Sequence, residues 1–337
     1  MISTAVIGCG YWGINIVRIL NQSDETQVYA ICDLDTLKLS AISTKYPGVK
    51  TVQDYHEIEA DPKIDAVVVS TPGSTHYEIV KSLLKSGKHV LCEKPITLSS
   101  DEAMDLHKTA ESEKRVLMVS HTFLYNDSIR FIKEHISSGR MGAPLYLNFT
   151  RTGLGPIRSD VNALWDLTPH DISIMLYLLD KTPLSVTAFG QSYIQKGIED
   201  VVFITIEMED RIMIQMHISW LNPYKTRELT IVGEKQMVVF DDVSTGEKVK
   251  IFDKGVDYQT STGNFGEFQL ALRDGGITIP NIKNREPLKT EIDHFISCIV
   301  NSEKPLTDGM NGYDVIRILE AAQKSLDSGN KKISLEL

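Results

Sequence analysis

Two periodicities alternate along the first 120 residues of the chain. Short apolar runs, as long as buried strands, are separated by stretches with apolar residues at helical spacing. The apolar runs are residues 4–7, 27–33, 65–70, 89–92 and 115–120. The helical stretches are residues 14–20, 75–86 and 99–112, and the last two begin with Thr or Ser, which can cap a helix. This alternation predicts a parallel, doubly wound sheet.

A glycine motif, Gly8-x-Gly10-x-x-Gly13, lies between the first predicted strand and the first predicted helix. A lone motif of this kind is weak, but here it has the strand before it and the helix after it. Gly8 permits a tight turn, Gly10 lets the backbone approach a pyrophosphate, and Gly13 allows close packing of helix on strand. The helix N-terminus offers free N–H groups to an anion. The motif therefore predicts a dinucleotide-binding loop.

The second apolar run ends in Asp33, 20 residues after Gly13. A carboxylate at this position bonds the ribose hydroxyls of the cofactor and would repel a 2′-phosphate, which favours NAD over NADP. Leu34 follows where NADP enzymes often carry Arg or Ser, although Lys38 lies nearby. The alternative is that Asp33 merely caps the next helix.

Lys94 stands in Glu93-Lys94-Pro95, directly after the run 89–92. If that run is a parallel strand, Lys94 lies at its carboxyl end, on the edge of the sheet where ligands bind. An exposed lysine at a strand exit is the alternative, and a Schiff-base lysine is disfavoured beside a cofactor loop. The run 65–70 ends at Thr71-Pro72 on the same predicted edge.

The second half of the chain has a different pattern, in which strand-like runs follow one another at hairpin spacing. These runs are residues 144–150, 184–192, 201–208, 212–220, 228–232 and 236–241. Helices are predicted at 165–179, 289–301 and 312–328, and the polar, glycine-rich stretch 243–285 is interpreted as a long excursion. A broad antiparallel sheet needs its second face covered, and a partner subunit would cover it.

Asp166 and His170 are four residues apart and share one face of the predicted helix start, with Pro169 in its first turn. Histidine has a pKa near neutrality, so His170 is a candidate general base. A satisfied core histidine is the alternative. A metal pair is a further alternative, but no third ligand stands at convincing spacing, and no metal is expected.

Length, charge and cysteine content narrow the class of protein. A chain of 337 residues is longer than a single hydrophobic core usually supports, so two domains are expected, at 1–122 and 123–337. The C-terminal helix is expected to pack back on the first domain. The net charge of −10 argues against nucleic acid as a partner. The four cysteines are scattered, without a CxxC pair, and no apolar run is long enough to span a membrane. A cytoplasmic protein with reduced thiols is expected.

Taken together, the glycine motif, Thr71-Pro72 with His76 behind it, Glu93-Lys94-Pro95 and Asp166-x-x-x-His170 resemble the Gfo/Idh/MocA family of sugar and polyol oxidoreductases. The resemblance implies an α/β fold, with an N-terminal Rossmann domain and a C-terminal domain that has a large, open, mainly antiparallel sheet. It also implies homodimers or homotetramers and the NAD-dependent oxidation of a secondary hydroxyl.

The resemblance also implies roles for particular residues. His170 would act as general base, Lys94 would stabilise the alkoxide or relay the proton, and Asp166 would orient the substrate or the other two. The implied cofactor-binding residues are Gly8, Gly10, Tyr11, Trp12, Gly13, Asp33, Thr71, Pro72, His76, Glu93 and Lys94.

Several segments are similar to one subgroup, the nucleotide-sugar dehydrogenases that oxidise the 3-hydroxyl of a UDP-N-acetylhexosamine such as UDP-GlcNAc to feed amino-sugar biosynthesis. The implied substrate-binding residues are Tyr125, Asn126, Arg151, Arg158, Asn162, Trp165, Asp166 and His170. Lys225 and Arg227 are further cations for the diphosphate, or else lie on a solvated strand face or an interface. The open alternatives are a free sugar or inositol dehydrogenase, a deoxysugar 3-ketoreductase and a non-catalytic NAD-sensing regulator.

Overall fold

The computed structural model describes residues 1–260 and 268–335. They form two compact units, each assembled from two segments of the chain. The first unit consists of Met1–Tyr125 and Arg285–Arg317, and the second of Asn126–Asn284 and Ile318–Leu337. The helices are α1 (Tyr11–Gln22), α2 (Thr36–Lys45), α3 (His56–Glu59), α4 (His76–Lys85), α5 (Ser100–Ser112), α6 (Asp127–Ser137), α7 (Ala163–Leu179), α8 (Pro287–Asn301) and α9 (Gly309–Asp327).

Strands within these ranges follow in chain order. They are β1 (Ile2–Ile7), β2 (Thr26–Cys32), β3 (Lys50–Val52), β4 (Ala66–Val69), β5 (His89–Cys92), β6 (Leu117–Val119), β7 (Pro144–Thr152), β8 (Pro183–Gln191), β9 (Val201–Met208), β10 (Met213–Ser219), β11 (Thr226–Gly233), β12 (Met237–Asp241), β13 (Val249–Thr260), β14 (Phe268–Thr278) and β15 (Ile333–Ser334). None of the helices in the described ranges is both long enough and apolar enough to cross a bilayer.

In the described part of the first unit, six parallel strands form one sheet in the order β3-β2-β1-β4-β5-β6. Its central strands β4 and β5 are buried except at His89, which is why they are apolar runs without alternation. The strand order reverses direction between β1 and β4, the place where doubly wound sheets bind ligands. The predicted parallel, doubly wound sheet is confirmed.

The second unit has a nine-stranded sheet among its described residues, in the order β14-β13-β12-β11-β7-β10-β9-β8-β15. All neighbouring strands are antiparallel except β7 and β10. Side chains alternate between a buried face, covered by α7, and an outer face. The predicted large, mainly antiparallel sheet is confirmed, and with it the α/β fold class.

Two details of the second unit differ from the expectation. The stretch 243–285 is not an excursion, because it contains β13 and β14; its residues 261–267 lie outside the described ranges. A register shift between Phe252 and Lys254 interrupts the alternation that identifies a strand in a sequence. Helix α7 begins at Ala163, so Pro169 lies inside the helix and not in its first turn.

Candidate functional site

The glycine loop joins β1 to α1 and packs tightly against the loop that follows β4. Gly8 has a φ of +95°, and a Cβ there would lie 2.5 Å from the carbonyl oxygen of Ser70. A Cβ on Gly13 would overlap the carbonyl oxygen of Gly8, whereas one on Gly10 would meet nothing within 4 Å. Gly8 and Gly13 are therefore required by the fold itself, and Gly10 leaves open space beside the backbone.

The N-terminus of α1 is free to bind an anion. Its N-cap residue is Gly10, which has no side chain to cap the helix, and no acidic residue lies in the first turn. Tyr11 and Trp12 open the helix with 78% and 47% of their surface exposed, and their rings meet edge to face at 5.2 Å. Unsatisfied N–H groups beside open space are what the pyrophosphate of a dinucleotide requires, so these residues fit NAD(P).

Asp33 lies at the carboxyl end of β2 and points back to the glycine loop. Its Oδ2 accepts the backbone N–H of Cys9 at 2.6 Å, and its Oδ1 accepts that of Asp35 at 2.9 Å. The N-cap of α2 is Asp35, which accepts the N–H of Leu37 at 2.9 Å. Asp33 is therefore not the cap of that helix. Lys38 lies 3.8 Å from the Asp33 carboxylate.

His76 ties together the loops that follow β4 and β5. Its Nδ1 lies 2.7 Å from the carbonyl oxygen of Pro95, and its Nε2 lies 2.8 Å from that of Thr71. The side chain is fully buried, and burial lowers the pKa of His76 although both carbonyls oppose that shift. His76 thus fixes the shape of the cofactor edge from inside, next to Pro72.

Glu93 and Lys94 follow β5 on the same edge, and the Lys94–Pro95 peptide bond is cis. The Lys94 backbone N–H donates to Oε2 of Glu93 at 3.2 Å. Burial raises the pKa of Glu93, and the positive charge of Lys94 opposes that rise. The fully buried Glu291 of α8 also belongs to this neighbourhood, because Ser120 contacts both carboxyl groups. Sequence reasoning missed Glu291, although an acid among the apolar positions of a helix was a usable signal.

The start of α7 is held by a network of polar side chains. The Oδ1 of Asn162 accepts the N–H of Trp165 at 3.1 Å and so caps the helix, while its amide donates to Glu199 and Gln323. The Trp165 indole also donates to Gln323, at 3.2 Å. Asn162 and Trp165, predicted as substrate-binding residues, are engaged in fixing this helix start. Pro169 has no N–H, so the Trp165 carbonyl loses its usual partner within the helix.

Asp166 and His170 lie on α7 and come from one helical face, as their spacing predicts. The Trp220 indole, which follows β10, donates to Oδ2 of Asp166 at 3.2 Å. A guanidinium nitrogen of Arg158 lies 3.6 Å from the other carboxylate oxygen. Asp166 is therefore anchored from two sides. Trp220 was not identified from the sequence, since it lies more than 50 residues further along the chain.

Arg151 is not available to a substrate. It forms a bidentate ion pair with Asp171 of α7, with contacts of 2.6–2.9 Å, and both side chains are buried. Arg158 is about 43% exposed and binds Asp160 as well as Asp166. Because the Arg151 charge is neutralised within the protein, the cations predicted for a diphosphate are reduced to Arg158, Lys225 and Arg227.

Tyr125 and Asn126 also have roles within the fold. Tyr125 is fully buried in the first unit, and its hydroxyl lies 3.1 Å from that of Thr307. Asn126 caps α6 by accepting the N–H of Ser128 at 2.8 Å. The polar groups of both side chains are therefore engaged within the protein. Across the described ranges, no group of three His, Cys, Asp or Glu side chains is arranged to hold a metal ion.

Comparison with known proteins extends these observations. Residues 2–121 match the model of an oxidoreductase family with an NAD-binding Rossmann fold, and residues 129–239 match the C-terminal domain of the same family. An inositol 2-dehydrogenase from Rhodococcus erythropolis is 27% identical over 98% of this chain and 94% of its own length. A myo-inositol 2-dehydrogenase from Thermotoga maritima is 25% identical over 98% of both chains.

Among solved structures, a UDP-N-acetylglucosamine 3-dehydrogenase from Acidithiobacillus ferrooxidans superimposes with a TM-score of 0.81 over 97% of both chains. At 22% identity this similarity concerns the fold alone. The two family matches together cover more than half of the chain. The Rossmann match contains the glycine loop, and the C-terminal match contains Asp166 and His170 of α7. The chain belongs to the Gfo/Idh/MocA family of NAD(P)-dependent oxidoreductases.

Proposed function

We propose that this protein oxidises a secondary hydroxyl of a free sugar or cyclic polyol to a ketone, with NAD as the hydride acceptor. The similarity to inositol 2-dehydrogenases over nearly the whole chain supports this class of reaction. The buried ion pair of Arg151 with Asp171 is the observation that favours an uncharged substrate. It removes one of the four candidate cations for a diphosphate substrate, whereas a free polyol needs only hydrogen-bonding groups.

In this proposal three residues of the chain act on the reacting hydroxyl group, each in a different role. NAD, when bound, accepts the hydride. His170 takes the hydroxyl proton, and Lys94 donates to the same oxygen and stabilises its developing negative charge. Asp166 holds its orientation through Trp220 and Arg158, and so positions the reacting group.

The second candidate reaction is oxidation of the 3-hydroxyl of a UDP-N-acetylhexosamine. The environment of Arg227 is the observation that favours it. Arg227 faces Arg151 across the β7–β11 pair and is only partly exposed. Its guanidinium donates to the carbonyl of Thr226, and no carboxylate of the described residues lies within 4.0 Å of it. Burial, with the charge of Arg151, lowers the pKa of Arg227. A partly buried cation with no carboxylate in direct contact attracts an anionic substrate.

The test is turnover with NAD on a panel of myo-inositol, free hexoses, UDP-GlcNAc and its uronate, followed by the formation of NADH. A carbonyl-trapping reagent is included so that an unfavourable equilibrium does not hide the reaction. Turnover on a free polyol supports the main proposal. Turnover confined to the UDP-sugars, lost in Arg227→Met, would replace it by the second candidate.

Two further outcomes of the panel decide the remaining hypotheses. Calorimetric binding of NAD without turnover of any substrate contradicts both enzyme proposals and favours a cofactor-sensing regulator. Reduction of a keto-deoxysugar by NADH, without oxidation of any alcohol in the panel, favours a ketoreductase.

Asp33→Asn is expected to raise the KM for NAD about 10–100-fold, the loss of one charge-assisted hydrogen bond. The KM for NADP should fall, because the repulsion of the 2′-phosphate is removed. The amide keeps an oxygen for the Cys9 N–H, so the glycine loop retains its support. Asp35→Asn is the matched control, since Asp35 caps α2 and should not change cofactor preference. Unchanged KM values for both cofactors in Asp33→Asn would contradict the preference for NAD.

We propose further that the outer face of the nine-stranded sheet, formed in the described ranges by large apolar side chains, packs against a second copy. Phe189 and Phe203 are neighbours across the β8–β9 pair and are 55% and 49% exposed. Phe203 stacks on His217 of β10, with ring centroids 4.4 Å apart. Exposed apolar side chains on a strand face mark an interaction surface.

Phe203→Glu is therefore expected to shift the protein towards monomers, because a charge buried in an apolar interface costs several kcal/mol. Light scattering coupled to size exclusion measures the mass directly. Val300→Glu is the control, since Val300 is 61% exposed on α8 of the first unit. A wild-type protein that is already monomeric at micromolar concentration would contradict the assembly.

A further inference from the structure

Glu291 is a fully buried acid in the first unit to which nothing in the family resemblance gives a role. It comes from α8 and takes a position on the apolar face of that helix, next to Leu288 and Ile292. The hydroxyl of Thr122 lies 2.9 Å from its Oε2, and that of Ser120 lies 3.1 Å from the same oxygen. Its Oε1 is buried and has no hydrogen-bond partner among the described residues.

The number of hydroxyl hydrogens available shows which protonation state of Glu291 fits these contacts. The Ser120 hydroxyl has one hydrogen but lies near two carboxyl groups, 3.4 Å from Oε1 of Glu93 and 3.1 Å from Oε2 of Glu291. If both acids were ionised, one of them would lose Ser120. If Glu291 is protonated on Oε2, it donates to Ser120 and accepts from Thr122, and the Ser120 hydrogen is then left for Glu93.

The electrostatics agree with this count. Burial raises the pKa of Glu291 well above its usual range, and the carboxylate of Glu93 raises it further. Burial also raises the pKa of Glu93, but the charge of Lys94, its backbone N–H and the Ser120 hydroxyl oppose that rise. His121, which lies near Lys94, is neutral, because burial lowers its pKa to about 4. Its ring donates to Asn311 at 2.7 Å.

The other titratable groups on elements packed against α8 are engaged elsewhere. Arg18 of α1 binds Glu286 at the N-cap of the helix. His294, one turn after Glu291, accepts the N–H of Leu306 at 3.0 Å, and its ring lies tilted 5.5 Å from that of Tyr125. No cation of the described residues forms an ion pair with Glu291, so only the hydroxyls of Thr122 and Ser120 oppose the rise of its pKa.

We propose that Glu291 is a positioning residue for Lys94, an uncharged carboxylic acid that donates through Ser120 to the Glu93 carboxylate and fixes it beside the lysine. An uncharged Glu291 adds no negative charge beside the Glu93–Lys94 pair. A second negative charge would stabilise the ammonium form of Lys94 and shift its titration to higher pH. The functional part of this inference rests on the role proposed for Lys94, and the protonation of Glu291 does not.

The first experiment measures the proton itself. Infrared difference spectra of wild type against Glu291→Gln, at neutral pH in D₂O, are expected to show the C=O stretch of one protonated carboxylic acid only in the wild type. Absence of that band from the wild type would overturn the inference. Persistence of the band in Glu291→Gln would also overturn it, because the proton would then belong to another acid. This readout needs no turnover, so it stands even if the proposed reaction is wrong.

The second experiment compares two replacements at the same site by their pH profiles of kcat/KM. Glu291→Gln keeps an N–H donor and no charge, so its profile should match that of the wild type within about twofold. Glu291→Met removes the donor and should lower kcat/KM about 2–10-fold, the worth of one hydrogen bond. A profile of Glu291→Gln displaced to lower pH would mean that Glu291 is charged, and it would refute the proposal.

Discussion

Lys94→Ala is expected to lower kcat/KM for alcohol oxidation about 10²–10³-fold, the effect of removing one donor from a developing oxyanion. Lys94 lies directly after β5, at the carboxyl end of the central parallel strands, and is flanked by Glu93 and the cis Pro95. Because the alanine removes a charge without touching the glycine loop, NAD affinity should change little. Steady-state formation of NADH gives kcat/KM, and titration of protein fluorescence with NAD gives the affinity.

Lys94→Arg separates the two tasks that a lysine could perform. Arginine keeps the positive charge but is always protonated in proteins, so it stabilises an alkoxide and cannot relay a proton. Substantial activity in Lys94→Arg assigns the proton to His170, and activity as low as in Lys94→Ala assigns a share of it to Lys94. Unchanged activity in Lys94→Ala would remove this residue from the mechanism.

The cofactor edge is the part of this site that a sequence predicts best, for a physical reason. Gly8, Asp33, Thr71 and Lys94 each follow directly after a buried strand, and parallel strands bring their carboxyl ends to one edge. Local pattern alone therefore sets which residues share that edge. The structure agrees with the strand order that this argument needs.

A sequence predicts poorly the role of a residue whose contact partner lies far along the chain. Arg151 appears in the sequence as a free cation, yet its charge is neutralised by Asp171, 20 residues later on α7. Ser120 and Glu291 are 171 residues apart and meet only because α8 belongs to the first unit. Local patterns contain no information about such pairs.

The strands β13 and β14 show a different limit. Glycine residues and a register shift after Phe252 break the alternation on which strand prediction depends. β14 is the edge strand, and the part of β13 after Phe252 pairs with β14 alone, so a single neighbour constrains the irregular segments. The prediction of an excursion was therefore wrong in the part of the sheet that is least regular.

Gly13→Ala and Gly10→Ala form the second pair with large expected effects, because the two glycines are required for different reasons. A Cβ on Gly13 would overlap the carbonyl oxygen of Gly8, and because that atom belongs to the backbone it cannot easily move aside. We expect a loss of about 3 kcal/mol, the upper end for overpacking, and a fall in Tm of about 6–12 °C for a unit of this size. Thermal unfolding followed by circular dichroism measures it.

Gly10→Ala should leave the Tm unchanged, because a Cβ there meets nothing within 4 Å. It should raise the Kd for NAD about 10–100-fold, since the methyl group occupies the space through which the backbone would approach a pyrophosphate. Gly155→Ala serves as the control for both, as its Cβ also meets nothing and it lies outside the loop. If Gly10→Ala binds NAD as tightly as the wild type, the pyrophosphate does not bind at this helix N-terminus. Stability and affinity thus respond to different glycines of one motif, because Gly13 serves the contact of helix with strand and Gly10 serves the ligand.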